Sequence, residues 1–393
     1  MNEEQNINQL PKGWKCVKVG EYVISVKGKK PKRVSNTKTK ECSIPYVNIK
    51  AFEKNIIDEY TDGVGCALCD DGDFLMVWDG SRSGYVGKAI KGALGSTLVK
   101  LNFPDMYNNY AFYFLQSKYL DINTRAKGVG IPHVDPNILW NYDLLIPPRL
   151  TQQAIVSKIE ELFSELDKGI ENLRTAQQQL KTYRQSVLKW AFEGLDKRKI
   201  VTVENCCSHV VDCLHSTAKF SSSGYYCVDT TCIENGKILY EKIRYVDEKT
   251  YIERISRLKP EEGDILFARE GTVGTTLIVP HNVELCLGQR MMMFRLKREI
   301  LPKYFMYYFQ SFLFKSQYRP LIMGTTAPHL NIRDIRKFQV IICSAEDQQK
   351  VIQEIESRLS VADKMEESIT QSLQQAEALR QSILKKAFEG KLI

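Results

Sequence analysis

A lysine-rich stretch near the start of the chain carries side chains that can bind phosphate. It reads VKGKKPKRVSNTKTK (residues 26–40), contains no acidic residue, and is interrupted by the glycine and proline typical of loops. Lysine and arginine bind nucleic acid by neutralising phosphates and displacing counterions. A solvated loop tip is the alternative, but the neutral donors Ser35, Asn36 and Thr37 favour a phosphate clamp. The candidate phosphate-binding residues are Lys27, Lys29, Lys30, Lys32 and Arg33.

Two short glycine-containing loops follow apolar segments and carry charges suited to reading base edges. They are DGSRSGYVGK (residues 79–88) and REGTVGTT (residues 269–276). Arginine matches guanine O6 and N7, and glutamate can accept from cytosine N4. A tight turn with a solvated charge is favoured for any one residue, but recurrence at equivalent places in both copies narrows the difference. The candidates are Arg82, Lys88, Arg269 and Glu270, with Arg290 in LGQRMMMF as a weaker one.

Motifs for catalysis are missing from the sequence. It contains no phosphate-binding GxxxxGK[ST], no GxGxxG after a strand, no HExxH and no GxSxG. The amino-methyltransferase tetrapeptide [ND]PP[YFW] is also missing, since IPPR (residues 146–149) lacks the first residue. His133 and His329 each follow a proline in similar segments without a partner acid in view, which favours a structural hydrogen bond over catalysis. The sequence therefore predicts no chemistry in this chain.

The run CCSHVVDCLH (residues 206–215) is the one place that resembles a metal site. Its three cysteines and two histidines match no standard zinc spacing, so ordinary buried thiols are favoured over a structural zinc. We therefore expect no metal and no cofactor bound by this chain.

Composition indicates a globular protein of two or more domains. The chain has 393 residues, of which 43% are hydrophobic and 26% charged, and a net charge of +8 that permits a polyanionic partner. No apolar run reaches the roughly 18 residues of a membrane helix, and the N-terminus lacks the apolar segment of a signal peptide. Eleven cysteines without disulfide-like spacing suit a reducing compartment. We expect a cytoplasmic protein without membrane contact.

The chain contains an internal repeat. QSVLKWAFEG (residues 185–194) recurs as QSILKKAFEG (residues 381–390), and the alignment extends without a gap from 128–194 against 324–390. Upstream the similarity continues with small shifts in register, as in DGDFLMVW against EGDILFAR. The protein is therefore two copies of one unit, each with a variable globular part and a regular tail.

The tails are predicted to be two long helices. Apolar residues recur every three or four positions from Ile155 to Ala191 and from Ile352 to Ala387, and Thr151 and Asp347 are candidate N-caps. The apolar stripes are too long for their own domains to cover, which favours an antiparallel coiled coil over two helices packed separately. The predicted organisation is a recognition domain at 1–150, a central helix at 151–197, a second recognition domain at 198–345 and a C-terminal helix at 346–393.

The globular parts are predicted to be α+β, because short β-branched segments alternate with turn residues. Each also carries one aromatic-rich stretch, at residues 107–120 and 302–314. These aromatics could stack on bases, but their spacing favours a core helix. Antiparallel helices would relate the two domains by an approximate two-fold axis, as in dimeric DNA readers. The expected target is therefore two different short half-sites separated by an unread spacer.

These features together resemble the specificity subunit of Type I restriction-modification systems. The resemblance covers the whole chain and rests on the paired QSxLxxAFxG helices and the entry LLIPPRLTQQAIVSKIEELFSELD (residues 144–167). The second copy, VIICSAEDQQKVIQEI (residues 340–355), lacks the prolines of that entry. The resemblance implies a subunit without catalytic activity, whose two target recognition domains read a bipartite double-stranded DNA sequence. Its helices would act as a ruler for the spacer.

The resemblance also implies the partners. Two modification subunits would bind S-adenosylmethionine and methylate adenine, and two restriction subunits would add ATP- and Mg-dependent translocation and cleavage. The twin AFEG ends and the polar helix faces are candidates for docking the modification subunits, with a solvated exterior as the alternative. The polar residues concerned are Gln177, Gln178, Gln179, Gln374 and Gln375.

Three other functions are alternatives. A structural tether holding two protein-binding modules apart would show no salt-dependent DNA affinity. A combined methyltransferase-nuclease would transfer methyl groups by itself, which the missing motifs disfavour. A specificity module of another DNA-modifying complex is hardly distinguishable from the preferred function by sequence.

Overall fold

The computed structural model describes residues 13–128, 130–195, 198–234, 236–324 and 327–393. The chain forms two compact units. Unit 1 comprises Met1–Leu173 and Gln371–Ile393, and unit 2 comprises Arg174–Thr370. The predicted boundary after residue 197 adjoins Asp196 and Lys197, which lie outside the described residues.

Unit 1 is built from strands β1–β11 and helices α1–α5, followed by the long helix α6. The strands are β1 Lys15–Lys18, β2 Ile24–Lys27, β3 Val34–Ser35, β4 Ile44–Val47, β5 Tyr60–Thr61, β6 Leu68–Cys69, β7 Phe74–Val77, β8 Val86–Lys88, β9 Gly92–Leu94, β10 Leu98–Asn102 and β11 Asp143–Ile146. The helices are α1 Val19–Tyr22, α2 Ile49–Lys54, α3 Asn108–Ser117, α4 Tyr119–Thr124, α5 Pro136–Leu139 and α6 Arg149–Glu193. The sheets have the orders β1-β11, β2-β10-β7-β8 and β3-β5-β4-β9-β6.

Unit 2 repeats this plan with strands β12–β23 and helices α7–α12. The strands are β12 Lys199–Thr202, β13 Cys207–Asp212, β14 Phe220–Ser221, β15 Tyr225–Val228, β16 Ile233–Glu234, β17 Lys237–Ile238, β18 Arg244–Val246, β19 Ile265–Ala268, β20 Thr276–Ile278, β21 Leu285–Leu287, β22 Met291–Leu296 and β23 Gln339–Ile342. The helices are α7 Val203–Cys206, α8 Glu248–Arg254, α9 Pro302–Gln310, α10 Phe312–Tyr318, α11 Ile332–Lys337 and α12 Ala345–Phe388, with 3₁₀ turns at Tyr240–Lys242 and Arg319–Leu321. The sheets have the orders β12-β23, β13-β22-β19-β20, β14-β18-β15-β21 and β16-β17.

A four-stranded antiparallel sheet is common to both units. The order β2-β10-β7-β8 in unit 1 corresponds to β13-β22-β19-β20 in unit 2. All four residues of β7 and of β19 are buried. Their uninterrupted apolar sequences, FLMV and ILFA, therefore suit a strand covered on both faces. The sheet is the rigid base from which the candidate DNA-contacting loops project.

The aromatic-rich stretches form core helices, as predicted. In α3, Tyr110, Phe112 and Phe114 are buried, and in α9, Tyr304 and Phe305 are buried. The two buried tyrosines also play matching roles, since Tyr110 Oη donates to Leu145 O at 2.7 Å and Tyr304 Oη donates to Ile341 O at 2.9 Å. Each hydroxyl is thereby satisfied inside an apolar core.

The two long helices, α6 and α12, confirm the predicted fold class. The core of unit 1 includes Ile159 of α6 with Leu384 of α12, and the core of unit 2 includes Leu188 of α6 with Ile355 of α12. Within unit 2 the helices run antiparallel. Arg184 of α6 bonds Asp363 of α12 at 2.6 Å. Trp190, which lies further along α6, stacks under Arg358, which lies earlier in α12. Each core thus contains segments of both helices, so neither helix packs on its own domain alone.

The Ala and Phe residues of the AFEG repeats pack in or against the cores, whereas Glu193, Gly194, Glu389 and Gly390 are exposed, so the docking role stays a prediction. Phe192 is fully buried and meets Tyr304 edge-on at a centroid distance of 5.3 Å. Phe388 meets Tyr110 in the same way at 5.1 Å. The decapeptide occurs twice because the end of α6 packs in the core of unit 2 as the end of α12 packs in the core of unit 1.

The helix starts differ from the sequence prediction. α6 begins at Arg149 and α12 at Ala345, each two residues before the predicted N-caps Thr151 and Asp347, so that prediction was wrong. The cap of α12 is Ser344, whose Oγ accepts from Asp347 N at 3.1 Å and donates to Asp347 Oδ2 at 2.7 Å. Serine is a good cap because its hydroxyl satisfies a free backbone N–H of the first turn.

A buried glutamine ties the start of each long helix to its unit. Gln348 is fully buried, and its Nε2 donates to Glu299 O and Cys343 O, both at 3.0 Å. Its Oε1 accepts from Leu301 N at 2.9 Å. Gln152 makes the matching bonds in unit 1: Nε2 donates to Pro147 O at 2.8 Å, and Oε1 accepts from Tyr107 N at 2.8 Å.

The CCSHVVDCLH run contributes to the core of unit 2. Cys206, Cys207 and Cys213 are buried free thiols, and burial raises the pKa of Cys206 to about 12. Within the described ranges, no group of three or more His, Cys, Asp or Glu residues could hold a metal ion. In the same part of the chain, no helix is long and apolar enough to cross a membrane.

Candidate nucleic-acid interface

The lysine-rich loop between β2 and β3 has a fixed base and exposed charges. Gly28 N donates to Leu98 O at 3.0 Å, and a Cβ at Gly28 would lie 2.1 Å from Gly95 O, so only glycine fits. Beyond it the side chains of Lys29, Lys30 and Lys32 are exposed. No hydrogen bond or ion pair with another described residue holds these three ammonium groups, so they are available to phosphate.

The other two members of that predicted cluster are paired within unit 1. Arg33 Nη1 bonds Glu41 Oε2 at 3.0 Å and remains exposed. Lys27, at the end of β2, bonds Asp79 Oδ2 at 3.0 Å and lies 5.9 Å from the ring centroid of Trp78. Lys27 therefore belongs to the end of the four-stranded sheet rather than to the loop.

The first glycine loop presents Arg82 and Lys88 in contact with protein groups. Arg82 Nη1 bonds Glu53 Oε2 at 3.0 Å, and its guanidinium lies 3.9 Å from the ring centroid of Tyr85. Lys88 Nζ donates to Asn109 Oδ1 at 2.8 Å, and desolvation lowers its pKa. To contact DNA, each side chain would first have to leave these partners.

Arg269 occupies a different position from the one predicted. Its side chain is only 7% exposed; Nε bonds Asp212 Oδ1 at 2.9 Å and Nη1 bonds Glu270 Oε1 at 2.7 Å. A buried guanidinium held by two carboxylates cannot also reach a base edge in this conformation. Arg269 is therefore corrected from a reading residue to a positioning residue, while Glu270 keeps a partly exposed carboxylate.

The exposed His215 joins the Arg269–Asp212 pair, an arrangement that sequence reasoning missed. Arg269 Nη2 lies 3.1 Å from His215 Nδ1, and His215 Nε2 lies 2.9 Å from Asp212 Oδ2. Because a guanidinium only donates, Nδ1 accepts and the imidazole proton lies on Nε2, where it is donated to Asp212. The run CCSHVVDCLH gave no signal for this, since Arg269 directly follows β19, which is not adjacent to β13 in the sheet.

Arg290, the weakest sequence candidate, is an exposed cation on the turn before β22. It is exposed, and its side chain has no hydrogen bond or ion pair with the described residues. Its carbonyl accepts from Arg269 N at 3.1 Å, and the neighbouring Gln289 Nε2 donates to His215 O at 3.0 Å. The backbone at Arg290 is thus anchored while the guanidinium is free.

The two histidines that follow a proline have the structural role predicted for them. His133 N donates to Lys127 O at 2.7 Å, and His329 N donates to Met323 O at 2.9 Å. Each also forms a single β-bridge to the glycine loop of its unit, His133 with Asp79 and His329 with Glu270. Both histidines therefore hold the candidate loops to the chain segment before α6 or α12.

Equivalent positions in the two units carry opposite charges. In the strand register, Lys27 lies opposite Val99, the second residue of β10, and Asp212 lies opposite Met292, the second residue of β22, so positions 27 and 212 are equivalent. Lys27 bonds the acidic Asp79, whereas Asp212 bonds the basic Arg269. The partners are not equivalent, because Asp79 corresponds to Glu270 and Arg269 to Trp78, so only the charge at position 27 or 212 is inverted. One scaffold thus carries different charges at the two sheet ends, which is what two different half-sites require.

Comparisons with known proteins identify a family that this chain matches in two places. The chain fits the family described as Type I restriction modification DNA specificity domain over residues 11–174 and again over 218–377. The Type I restriction enzyme MjaVIII specificity subunit of Methanocaldococcus jannaschii is 25% identical, over 99% of this chain and 96% of its own length. The EcoBI specificity subunit of Escherichia coli is 23% identical, over 81% of this chain and 73% of its own length.

Solved structures have the same fold. A chain from a study of complex assembly and conformational transition of the type I R-M system superposes with a TM-score of 0.71 at 18% identity, covering 98% of this chain and 99% of that one. The HsdS subunit from Thermoanaerobacter tengcongensis gives a TM-score of 0.50 at 17% identity, with 98% of each chain covered. Because the family model matches twice, over most of each unit, this chain belongs to the Type I restriction-modification DNA specificity family and is a sequence-recognition subunit of such a system.

Proposed function

We propose that each unit reads one half of a bipartite, asymmetric double-stranded DNA target. The observation that carries this proposal is the pair of equivalent sheet ends, where Lys27, bonded to Asp79, takes the position that Asp212, bonded to Arg269, takes in the other unit. A shared scaffold keeps the two readings geometrically alike, and the different charges at these ends make the bases read different. The exposed Lys29, Lys30 and Lys32 supply a phosphate contact that positions the duplex without reading it.

The lengths of α6 and α12 set the unread spacer in this proposal. At 45 and 44 residues the two helices are nearly equal, as a ruler shared by two half-sites would need. Deleting the same number of turns from both helices is expected to change the preferred spacer and leave both half-sites unchanged. Methylation motifs mapped for the shortened proteins test this, and altered half-sites would contradict it.

Catalysis belongs to partner subunits. As a specificity subunit the chain is not itself an enzyme. We propose that two modification subunits bring S-adenosylmethionine, and that two restriction subunits bring ATP and Mg²⁺, in a complex that acts in the cytoplasm. Exposed groups on the helices offer the modification subunits a surface of mixed polarity. They are Tyr183, Trp190, Val361, Met365 and Leu379 with Gln178, Gln179, Gln374 and Gln375.

Methylation mapping tests the proposed function directly. Adenine methylation is mapped on plasmid DNA from cells expressing a cognate modification subunit, with and without this chain. Methylation at one asymmetric two-part motif, present only with the chain, is the expected result. If methylation is lacking, or is the same without the chain, the proposal fails and a structural tether becomes the better account. DNA affinity that does not fall with salt would point the same way.

A further inference from the structure

The backbone of Arg290 adopts a conformation that arginine rarely takes. Its φ is 80°, in the left-handed region, where a side chain crowds the backbone. Among the described residues other than glycine, only Asn55 and Asn282 also have positive φ, and asparagine tolerates it. Arg290 is the third residue of the turn Gly288–Met291, and a type II turn prefers glycine at that position. Something other than turn geometry therefore accounts for an arginine there.

Unit 1 provides an internal control for this turn. Gly95 N donates to Val47 O at 3.0 Å, and in unit 2 Gly288 N donates to Val228 O at 2.7 Å. Two residues after each glycine, a carbonyl accepts from the end of the neighbouring strand: Thr97 O accepts from Trp78 N at 2.8 Å, and Arg290 O accepts from Arg269 N. Thr97 thus stands where Arg290 stands, but its φ is not positive. The shared fold does not require the left-handed residue, so the conformation is specific to unit 2.

The turn that carries Arg290 is fixed from several sides. A Cβ at Gly288 would lie 2.7 Å from Asp229 Cβ, which shows how closely the two strands meet there. Thr217 Oγ1 donates to Gln289 Oε1 at 3.1 Å, and the buried Arg254 donates from Nη1 to Leu287 O at 2.9 Å. The anchored backbone fixes the point from which the Arg290 side chain leaves the turn, which geometric readout of a base requires.

The nearby acidic groups are already occupied. Asp212 is bonded to Arg269 and His215, and Glu270 is bonded to Arg269. The guanidinium of Arg290 therefore has no carboxylate competing for it, although Asp212 and Glu270 belong to the same end of the sheet. Arg269 acts here as the residue that neutralises those acids and leaves Arg290 free.

We propose that Arg290 reads a guanine in the half-site recognised by unit 2, through paired hydrogen bonds to O6 and N7. This inference rests on the proposed function and names the base chemistry of that site. Arginine forms this bidentate contact with guanine, and the exposed guanidinium has no partner among the described residues that it would first have to leave. Lysine would not replace it, because an ammonium lacks the planar fork.

The test uses the complex of this chain with its cognate modification subunit and a plasmid library randomised across the mapped motif. Arg290→Gly removes the guanidinium and suits the left-handed backbone, so the variant should fold with unchanged or higher Tm. We expect it to lose selectivity roughly ten- to hundredfold for a guanine at one position of one half-site, with the other half-site unchanged. Arg290→Lys should lose selectivity at the same position.

Arg298→Ala is the matched control. Arg298 is an exposed arginine beyond the opposite end of β22, whose six residues alone span about 20 Å at about 3.3 Å per strand residue. Its loss should leave the motif unchanged. The inference is overturned if Arg290→Gly keeps the wild-type motif. It is also overturned if Arg290→Gly lowers methylation evenly at all sequences and Arg290→Lys restores it. That second result would indicate that Arg290 binds a phosphate. If Arg290→Gly does not fold, Arg290→Lys decides by the same criterion.

The outcome for the wild-type chain separates this inference from the proposed function. A wild-type complex without any motif overturns the proposed function and this inference together. A wild-type complex with a two-part motif that contains no guanine in either half-site overturns this inference alone.

Discussion

Replacing Gln348 with alanine is expected to destabilise unit 2 while leaving the surface unchanged. The side chain is fully buried and joins the start of α12 to the segment that enters α9. Its loss leaves the N–H of Leu301 and the carbonyls of Glu299 and Cys343 without their partner. The contact matters because it fixes the recognition unit to the long helix at one defined point.

The magnitude follows from those three groups. Each buried polar group left unpaired costs about 1–3 kcal/mol, and relaxation or an entering water reduces the sum, so we expect a loss of about 3 kcal/mol. For a unit of this size, about 2–4 °C of Tm corresponds to 1 kcal/mol, which gives a fall of about 6–12 °C. Gln348→Leu should be as damaging as alanine, because it restores the volume but none of the bonds.

Thermal and urea denaturation followed by circular dichroism measure the effect. Gln349→Ala is the matched control, because Gln349 is the exposed neighbour on the same helix turn and should change stability by less than about 0.5 kcal/mol. Gln152→Ala and Gln153→Ala repeat the comparison in unit 1. If Gln348→Ala and Gln349→Ala unfold at the same temperature, the buried glutamine does not hold the helix and the reasoning is refuted.

Three further predictions concern the core and the interface. Phe192→Ala should cost about 3–5 kcal/mol of unfolding free energy, measured by denaturation, because the ring is fully buried; a stable variant that has lost only its modification subunit would contradict the core role. Arg269→Ala should cost about 3–5 kcal/mol by leaving Asp212 with only the hydrogen bond from His215, and a variant as stable as wild type would contradict the buried pair. Joint replacement of three loop lysines by glutamine should lower DNA affinity at all sequences and reduce the salt slope of log K by about 2–3, measured by fluorescence anisotropy against salt. The loop set is Lys29, Lys30 and Lys32, and the charge-matched control set is Lys168, Lys181 and Lys364 on the helices; equal effects of the two sets would contradict a loop clamp.

The helices and the duplication could be predicted because their signals are periodic and occur twice. Apolar spacing along 155–191 and 352–387 fixes one face of each helix, and α6 and α12 cover both stretches. The helix starts could not be placed as well, because a cap depends on the backbone entering it. Ser344 and Asp347 are both good capping types, and only the turn geometry decides that Ser344 takes the position.

The site could be located in outline but its roles could not be assigned. The exposed lysines after Gly28 follow directly from composition, since lysine side chains in a glycine- and proline-containing loop favour solvent. Arg269 and Arg290 look alike in sequence, and the difference between them depends on Asp212 and His215, which reach Arg269 across the sheet. Long-range pairing of this kind is set by strand register, which a single sequence does not reveal.

The paired charges at the two sheet ends show how a duplicated protein can carry two different sets of charges on one fold. A lone charge at position 27 or 212 would lie beside the end of an apolar sheet, where it needs a partner. Lys27 is paired by Asp79 and Asp212 by Arg269, and these partners are not equivalent positions, since Arg269 takes the place of Trp78. Each unit therefore balances the charge at this position through a different neighbour.

The same sheet ends also differ in one residue that is not used for this pairing. In unit 2 that residue is Arg290, whose guanidinium has no partner among the described residues, and in unit 1 the same position is Thr97, a neutral donor and acceptor. We therefore expect this position to contribute to the difference between the two half-sites.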